Sequence, residues 1–209
     1  MKNNYKITKE DLKKAFASPI RIKGMALKGG VIKVIKEKLG EEALRAIEKE
    51  SKNLGSPFVL KEIKELEWYP VGMYLGILYI LQEKFNFREK DFAELGEAAA
   101  KFSPAIRLLM RYFAVPEKMA KIAAPRLWRR FFDTGEAEVC EFKESKTEGF
   151  LIVRVKNFKL HPLYFLYLGH FFLGMAKLAR KFQETTVEET ESPFRGDEYQ
   201  EYLIKWKHY

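Results

Sequence analysis

Cysteine is nearly absent from this sequence. One residue of 209, Cys140, carries a thiol, so the chain can form neither an internal disulfide nor a metal site built from several thiolates. Cys140 lies in the strand-like stretch EAEVCEF, where a small, partly apolar side chain packs well and a reactive thiol is the less common case. The sequence therefore predicts no metal site.

Long hydrophobic runs are also absent. The two most apolar stretches, residues 71–81 and 163–175, are shorter than the roughly 20 apolar residues that a bilayer span requires. The first residues, MKNNYKITKEDLKK, are polar and charged and do not have the apolar segment of a signal peptide. We expect a cytoplasmic protein without a membrane span.

The common catalytic motifs are missing too. The glycines of LKGGVIK follow no strand and precede no Lys-Ser or Lys-Thr pair, so they do not form a phosphate-binding loop. The sequence has no G-x-S-x-G and no H-E-x-x-H motif. Of the three histidines, His161 precedes a proline at a predicted helix start and His208 lies next to the end, while His170 lies on an aromatic helix. A non-enzymatic role is favoured, and no cofactor is predicted.

Basic residues exceed acidic ones, with 38 Lys and Arg against 29 Asp and Glu, a net charge of +9. The excess is mostly in the first 50 residues, where lysines alternate with glutamates as in VIKVIKEKLGEEALRAIEKE. This pattern is typical of solvated helix faces, and abundant Lys and Glu is typical of thermophilic proteins. We do not expect nucleic-acid binding, although the charge keeps it open as an alternative.

The first two thirds of the chain predict helices. TKEDLKKAFA, capped by Thr8, lies in a possible N-terminal arm over residues 1–19, and one domain is predicted over residues 20–209. Apolar spacing predicts helices over residues 25–39, ended by Gly40, and 41–53. Further helices are predicted over residues 71–85, 87–102, 103–113 and 116–134, the last interrupted or restarted at Pro125.

The last third predicts strands. EAEVCEF and GFLIVRVKNF alternate in the manner of an antiparallel hairpin. A long aromatic helix follows over residues 161–182, and two final strands come after it. The fold class is therefore predicted as α+β, with a helical N-terminal half packed on a C-terminal antiparallel sheet of about four strands and the aromatic helix between the two hairpins.

Aromatic residues supply the candidate site. They concentrate in the central helix, in the segment before Gly135 and in the aromatic helix. Rigid rings with a few polar groups can form either a packed core or the wall of an apolar pocket. We predict a ligand pocket between the aromatic helix over residues 161–182, the central helix over residues 70–85 and the sheet, lined by Tyr74, Trp128, Phe165, His170 and Phe172. A packed core is the commoner role for most aromatic residues of this kind, and a buried core histidine is the commoner role for His170.

The C-terminal residues carry a recognisable pattern. Val187, Glu189, Ser192, Gly196, Gln200, Tyr202, Ile204 and Trp206 stand at the spacings of V-x-E-x-x-C-x-x-x-G-x-x-x-C-x-F-x-I-x-W. With Gly169 and Gly174 on the preceding helix, residues 20–206 resemble the superfamily of 4-vinyl reductase domains, haem-NO-binding-associated proteins and TRAPP-type vesicle-tethering subunits. Within it, the chain looks most similar to an uncharacterised bacterial paralogous family best known in myxobacteria.

The resemblance implies an α+β domain, commonly a homodimer, that binds hydrophobic or tetrapyrrole-like molecules as a sensor or accessory module. Two departures matter. The family cysteines correspond here to Ser192 and Gln200, which cannot replace thiolates as soft ligands, and the Tyr-x-Ser-x-Arg motif of haem-NO sensors is absent. We expect a non-enzymatic domain that binds a hydrophobic small molecule or acts as a sensor. The alternatives are an accessory reductase or tetrapyrrole-processing protein, and a dimeric structural assembly module.

Overall fold

A computed structural model describes residues 5–102, 106, 116–178 and 182–208. The helices in these ranges are α1 (Lys9–Ala17), α2 (Gly24–Ala26), a π-helix (Leu27–Ile32), α3 (Lys33–Asn53), a 3₁₀ turn (Leu60–Glu62), α4 (Val71–Lys84), α5 (Glu89–Phe102), α6 (Pro116–Phe131) and α7 (Pro162–Lys177). The strands are β1 (Arg21–Lys23), β2 (Trp68–Pro70), β3 (Glu136–Glu144), β4 (Glu148–Lys156), β5 (Phe182–Glu191) and β6 (Gln200–His208). Within these ranges, no helix has the length and apolar character to cross a membrane.

The first helix is capped and packed. Thr8 and Asp11 form a reciprocal capping box at the start of α1, which satisfies backbone donors that the first turn leaves free. Leu12 and Ala15 are buried, and the ring of Phe16 lies against Gly72 of α4. The predicted boundary between an arm and a domain at residue 20 stays a prediction, but α1 contributes to the core.

The long helical segment that follows contains two irregular glycines. Gly30 lies inside the π-helix with φ −100° and ψ −105°. Gly40 interrupts α3 with φ 81° and ψ 178°, a conformation that residues with a side chain rarely adopt. The break predicted at Gly40 is therefore present, as a kink between two helical stretches.

Helix α4 is the centre of the helical half. All of its residues from Val71 to Leu81 are buried, as expected for a helix that is apolar on every face. Helix α5 crosses α7 closely, because Gly96 lies against the backbone carbonyl of Tyr167 and Gly174 lies against the backbone of Glu97. These close contacts fix the position of α7 between the helical half and the sheet.

The sheet is antiparallel throughout, with the strand order β3-β4-β6-β5. The two hairpins therefore lie side by side, joined through β4 and β6, where Val153 pairs with Tyr202 and Leu151 with Ile204. One face of the sheet packs on α7, and Gly169 of α7 makes room for the ring of Tyr202. A separate pair of short strands, β1 and β2, joins the helical half.

These observations confirm the predicted α+β class, the helical N-terminal half and the C-terminal antiparallel sheet. The aromatic helix ends at Lys177, earlier than the predicted residue 182, because β5 begins at Phe182. Pro125 lies inside α6 and does not end it. The helix predicted over residues 103–113 falls almost wholly outside the described residues.

Candidate functional site

Three tyrosines meet where α4 faces α7. The ring of Tyr74 lies edge-on to Tyr164 at 5.4 Å and to Tyr167 at 5.5 Å between centroids. Tyr164 and Tyr167 stack at 6.2 Å, since residues three apart share a face of a helix. All three side chains are buried. We call this group the tyrosine cluster.

The hydroxyls of the cluster are not equivalent. Tyr74 and Tyr167 are hydrogen bonded to each other through their side chains. Burial raises the pKa of all three phenols, so they stay neutral at physiological pH. A buried tyrosine hydroxyl normally has a hydrogen-bond partner, so these three phenols are the polar groups that a ligand would meet here.

The walls around Tyr164 are aromatic and apolar. Phe158 lies at 5.8 Å and Phe132 at 6.3 Å from its ring. On the other side of the cluster, a Cβ added at Gly30 of the π-helix would lie 3.9 Å from the Tyr167 hydroxyl oxygen. Single π-turns occur often at functional sites. The tyrosine cluster is therefore surrounded by aromatic and apolar groups.

Three of the predicted pocket residues lie in or beside this enclosure. Tyr74 belongs to the cluster. Trp128 is buried on α6, packs on Phe158 at 5.0 Å and donates its indole N–H to the carbonyl of Thr134 at 2.9 Å. Phe165 packs on Phe158 at 6.2 Å. The structure thus links Tyr74, Trp128 and Phe165 through the intermediate rings of Phe158 and Tyr164.

The other two predicted residues point elsewhere. Phe172 packs on Tyr202 at 5.7 Å, towards the sheet. At about 100° per residue around a helix, His170 lies about 140° from Phe165 and about 160° from Phe172. The structure therefore does not bring His170 together with these two rings. Whether any ligand reaches the five residues stays a prediction.

His170 lies near charged groups. Its side chain is half-buried, and burial lowers its pKa, while Glu97 acts to raise it and Lys177 to lower it. His161, in contrast, is the N-cap of α7, and its Nδ1 accepts a hydrogen bond of 3.1 Å from the backbone N–H of Leu163. His208 lies 3.1 Å from Glu144 on the sheet. None of the chain's three histidines belongs to the tyrosine cluster.

The C-terminal hairpin contains a second polar group. Ser192 and Gln200, at the positions of the family cysteines, are both buried. The amide of Gln200 donates to Glu189 at 2.7 Å, and the carboxylate of Asp197 accepts from the backbone N–H of Ser192 at 2.7 Å. This part of the hairpin is an ordered, hydrogen-bonded loop.

A site for a metal held by charged or thiol ligands is not evident. Residues 5–102, 106, 116–178 and 182–208 contain no group of three or more His, Cys, Asp or Glu side chains that could hold an ion. Burial, with help from Glu138, raises the pKa of the Cys140 thiol to about 11. Because the thiolate is the ligand and the nucleophile, Cys140 is a poor candidate for either role.

Sequence reasoning missed Tyr164 and Tyr167 as site residues. Their spacing was visible in LYFLYLGHFF, but nothing local indicated that α4 would bring Tyr74 against this face. The signal that could have found them is their i, i+3 relation on the most apolar helix of the last third, because hydroxyls on a buried face must meet a partner.

The comparisons with known proteins concern the whole architecture. No protein-family model matches the sequence, and no curated protein matches it significantly. The structure is similar to an oxygen-binding H-NOX domain related to soluble guanylate cyclases, in its oxygen complex, with a TM-score of 0.60 and 18% identity over 89% of this chain and 94% of that one.

Two further similar structures have TM-scores of 0.59. One, from a study of haem distortion in the H-NOX family, is 18% identical over 89% of this chain and 94% of that one. The other is an H-NOX protein from S. oneidensis in its Fe(II)NO ligation state, 10% identical over 88% and 98%. These likenesses extend over nearly the whole of each chain. The protein therefore has the fold of H-NOX domains.

Proposed function

We propose that this chain is a non-enzymatic ligand-binding or sensor domain whose site is the tyrosine cluster of Tyr74, Tyr164 and Tyr167. The observation that carries the proposal is the meeting of three buried phenols among aromatic rings where α4 faces α7. Enclosures of this composition bind small apolar molecules, and a few polar groups set their orientation. Solved proteins of the same fold bind small ligands in their structures, such as oxygen.

The ligand is a small, largely apolar molecule that carries one hydrogen-bonding group. The Tyr74 hydroxyl is already engaged with Tyr167, so we expect the polar group of the ligand to bind at Tyr164. Burial of the apolar part supplies most of the affinity. The reductase alternative would need a proton donor in the site, and its candidate, His170, lies beside Glu97 and Lys177, away from the cluster.

Haem is the ligand that the similar structures suggest, and we tested whether the residues of this chain fit it. A haem iron needs an axial ligand from the protein, such as the imidazole of a histidine or the thiolate of a cysteine. His161 and His208 are engaged by Leu163 and Glu144, and His170 lies beside Glu97 and Lys177, away from the cluster. Cys140 is held as a thiol. The chain's histidines and its cysteine do not fit haem, and the proposal does not depend on it.

Native mass spectrometry of the protein purified from its own cells tests the proposal. We expect a copurified small molecule on the wild type, less of it on Tyr164→Phe, and an unchanged amount on Tyr199→Phe, which removes a hydroxyl from the hairpin outside the cluster. A bare protein mass for the wild type would overturn the proposal. Titration with hemin is the second arm: a Soret band that disappears in His170→Ala would show that haem is the ligand after all.

The stability of Tyr164→Phe separates a site from a packed core. If the hydroxyl serves no ligand, Tyr164→Phe shifts the urea midpoint by the same amount in freshly purified and in refolded protein. If it serves a ligand, the wild type with copurified ligand is more stable than the variant by the binding contribution. Protein refolded from urea, which has lost its ligand, is the matched control.

The predicted homodimer and the cytoplasmic location stay predictions. So do the closer relationships to 4-vinyl reductase, vesicle-tethering and myxobacterial proteins, since the similar structures described above are H-NOX domains. Those structures agree with the broader prediction that the chain shares the fold of the haem-NO-binding part of the superfamily. The tyrosine cluster requires no second copy of the chain, because all three side chains come from α4 and α7.

A further inference from the structure

The C-terminal hairpin contains two buried oxygen atoms that have no hydrogen-bond partner. Ser192 and Gln200 are 1% and 0% exposed. Within the part of the chain that the structure describes, neither the Oγ of Ser192 nor the Oε1 of Gln200 has a partner. An unsatisfied buried oxygen costs on the order of 1–3 kcal/mol, and native proteins usually satisfy such atoms with a bound water or ion. Two such oxygens at one end of the hairpin indicate a bound water or ion.

The two residues that carry these oxygens are neighbours in the fold. Glu191 of β5 pairs with Glu201 of β6, so the next position outward on each strand is Ser192 and Gln200. Another polar atom of each residue has a partner. The Gln200 Nε2 donates to Glu189, and the Ser192 backbone N–H donates to Asp197, both at 2.7 Å. The amide orientation of Gln200 is therefore set by Glu189, which leaves its oxygen as an acceptor.

The hydrogen-bonded network around the two oxygens carries excess negative charge. It contains the carboxylates of Glu189 and Asp197 and one guanidinium, that of Arg195, which donates to Glu189 at 2.7 Å and lies 3.8 Å from Asp197. Two carboxylates against one guanidinium leave one negative charge. Lys159 also reaches the loop, where it is exposed and donates to the carbonyl of Pro193 rather than to either carboxylate.

The loop between β5 and β6 packs on α7. The ring of Phe194 packs on Phe165 of α7 at 5.9 Å, and Tyr202 of β6 donates its hydroxyl to the Phe165 carbonyl at 2.7 Å. The backbone N–H groups of Arg195 and Asp197 both bind the Ser192 carbonyl, at 2.8 and 3.3 Å. Ser192 therefore lies at the start of a tight turn that connects β5 to β6 and packs on α7.

We propose that the Ser192 Oγ and Gln200 Oε1 atoms are ligands of a buried monovalent cation, such as sodium, potassium or ammonium. Neutral hydroxyl and amide oxygens suit hard cations, and the negative network around them favours a cation over a neutral water. A divalent ion is not expected, because the described residues supply no cluster of three acidic or histidine ligands there. The site is separate from the tyrosine cluster and does not depend on the function proposed for it.

Thermal unfolding at constant ionic strength tests the site. We expect the melting temperature of the wild type to be higher in sodium, potassium or ammonium chloride than in choline chloride, whose cation is too large to enter. A rise of about 3–6 °C is expected at a cation concentration ten times the dissociation constant, and it should saturate. The order of the three salts identifies the preferred ion.

Ser192→Ala is the informative variant. This change removes the unpaired Ser192 Oγ and keeps the hydrogen bond from the backbone N–H of residue 192 to Asp197. In choline chloride, the variant should therefore be as stable as the wild type or more stable. In the small-cation salts it should lose most of the rise. Ser56→Ala, at a half-buried serine far along the chain, should keep the full rise. Equal melting temperatures of the wild type in all chloride salts would overturn the proposal and leave water as the occupant.

A spectroscopic measurement identifies the site directly. In ¹⁵N-ammonium, the wild type should show a slowly exchanging bound ammonium signal with a cross-relaxation peak to the Gln200 side-chain amide, and Ser192→Ala should weaken that signal. A bound signal that is unchanged in Ser192→Ala would place the cation elsewhere and would also overturn the assignment.

Discussion

The hydroxyl of Tyr202 donates a hydrogen bond of 2.7 Å to the backbone carbonyl of Phe165. Tyr202 lies on the last strand and is 1% exposed, and Phe165 lies on α7 and is fully buried. The ring of Tyr202 also fills the space that Gly169 leaves on the same helix. This pair of residues joins the sheet to the helix on which the tyrosine cluster depends.

Loss of this hydrogen bond should destabilise the protein modestly. Tyr202→Phe keeps the ring against Gly169 and removes the donor, so we expect the free energy of unfolding in urea to fall by about 1 kcal/mol. Tyr199→Phe is the matched control, since it removes a half-exposed hydroxyl that bonds to Glu191 and leaves the ring under the Arg154 guanidinium, 4.4 Å away. An equal effect of both changes would mean that the Phe165 bond adds no more than a hydrogen bond at the surface.

The sequence predicted the fold class because hydrophobic periodicity changes from helical to alternating at Gly135. It could not predict that β4 would pair with β6, since strand order depends on how the two hairpins pack on α7, a relation between distant segments. The kink at Gly40 was predictable, because a lone glycine after a helical stripe is a common end signal. The π-helix at Gly30 was not, since no local residue pattern requires it.

The candidate site was predictable only in part. Tyr74, Trp128 and Phe165 were predicted from aromatic density, which indicates where a core will form, and their role at a site stays a prediction. His170 was assigned to the same pocket as Phe165 because all lie on one apolar helix, but that helix is buried on several faces, and composition alone does not distinguish them. Close contacts such as Gly96 on Tyr167 decide which face meets which neighbour.

The contact between α1 and α4 can be tested with two glycines of one helix. A Cβ at Gly72 would lie 2.6 Å from Cγ of Phe16, while a Cβ at Gly76 would have its nearest neighbour at 3.6 Å, an ordinary contact distance. We expect Gly72→Ala to destabilise the protein by about 1–3 kcal/mol through overpacking. Gly76→Ala should be neutral or stabilising by about 0.5–1 kcal/mol, because alanine is the better helix former.

Urea unfolding and hydrogen exchange measure this difference. If α1 is part of the domain, Gly72→Ala should speed exchange in α1 as well as lower global stability. Faster exchange confined to α1, with unchanged global stability, would instead support the predicted N-terminal arm over residues 1–19. Equal behaviour of the two variants would contradict the contact between Phe16 and Gly72.

Cys140 should react slowly with alkylating reagents. Its pKa is raised from 9.0 to about 11, first by burial and then by Glu138, whose carboxylate accepts from the thiol at 3.4 Å. Since the thiolate is the reacting form, we expect alkylation by iodoacetamide at pH 8 to be roughly 100-fold slower than for an unperturbed thiol. Glu138→Gln should speed the reaction, and Glu141→Gln on the same strand should not. Alkylation as fast as that of a free peptide thiol would contradict this prediction.

Stability should fall below about pH 6.5 because of buried histidines. Burial lowers the pKa of His161, against the opposing effects of Asp11 and of a hydrogen bond to the Lys6 backbone. Its Nδ1 must also stay unprotonated to accept from Leu163. The unfolded chain therefore binds a proton at a pH where the folded chain does not, so the free energy of unfolding rises with pH up to the unfolded value of about 6.5. The free energy of unfolding decreases as the pH falls from about 6.5 towards the pKa of His161 in the folded chain.

His161→Asn separates this contribution from the rest. Asparagine can still cap α7 but does not titrate, so the variant should lose much of the slope of unfolding free energy against pH between about pH 5 and 6.5. His170 shifts in the same direction, because burial outweighs the effect of Glu97, and it should account for the slope that remains. His161→Asn with His170→Asn should then be nearly flat in that window, where Asp11, with its lowered pKa, stays ionised. A slope in His161→Asn equal to that of the wild type would show that His161 is protonated as readily in the folded chain as in the unfolded one.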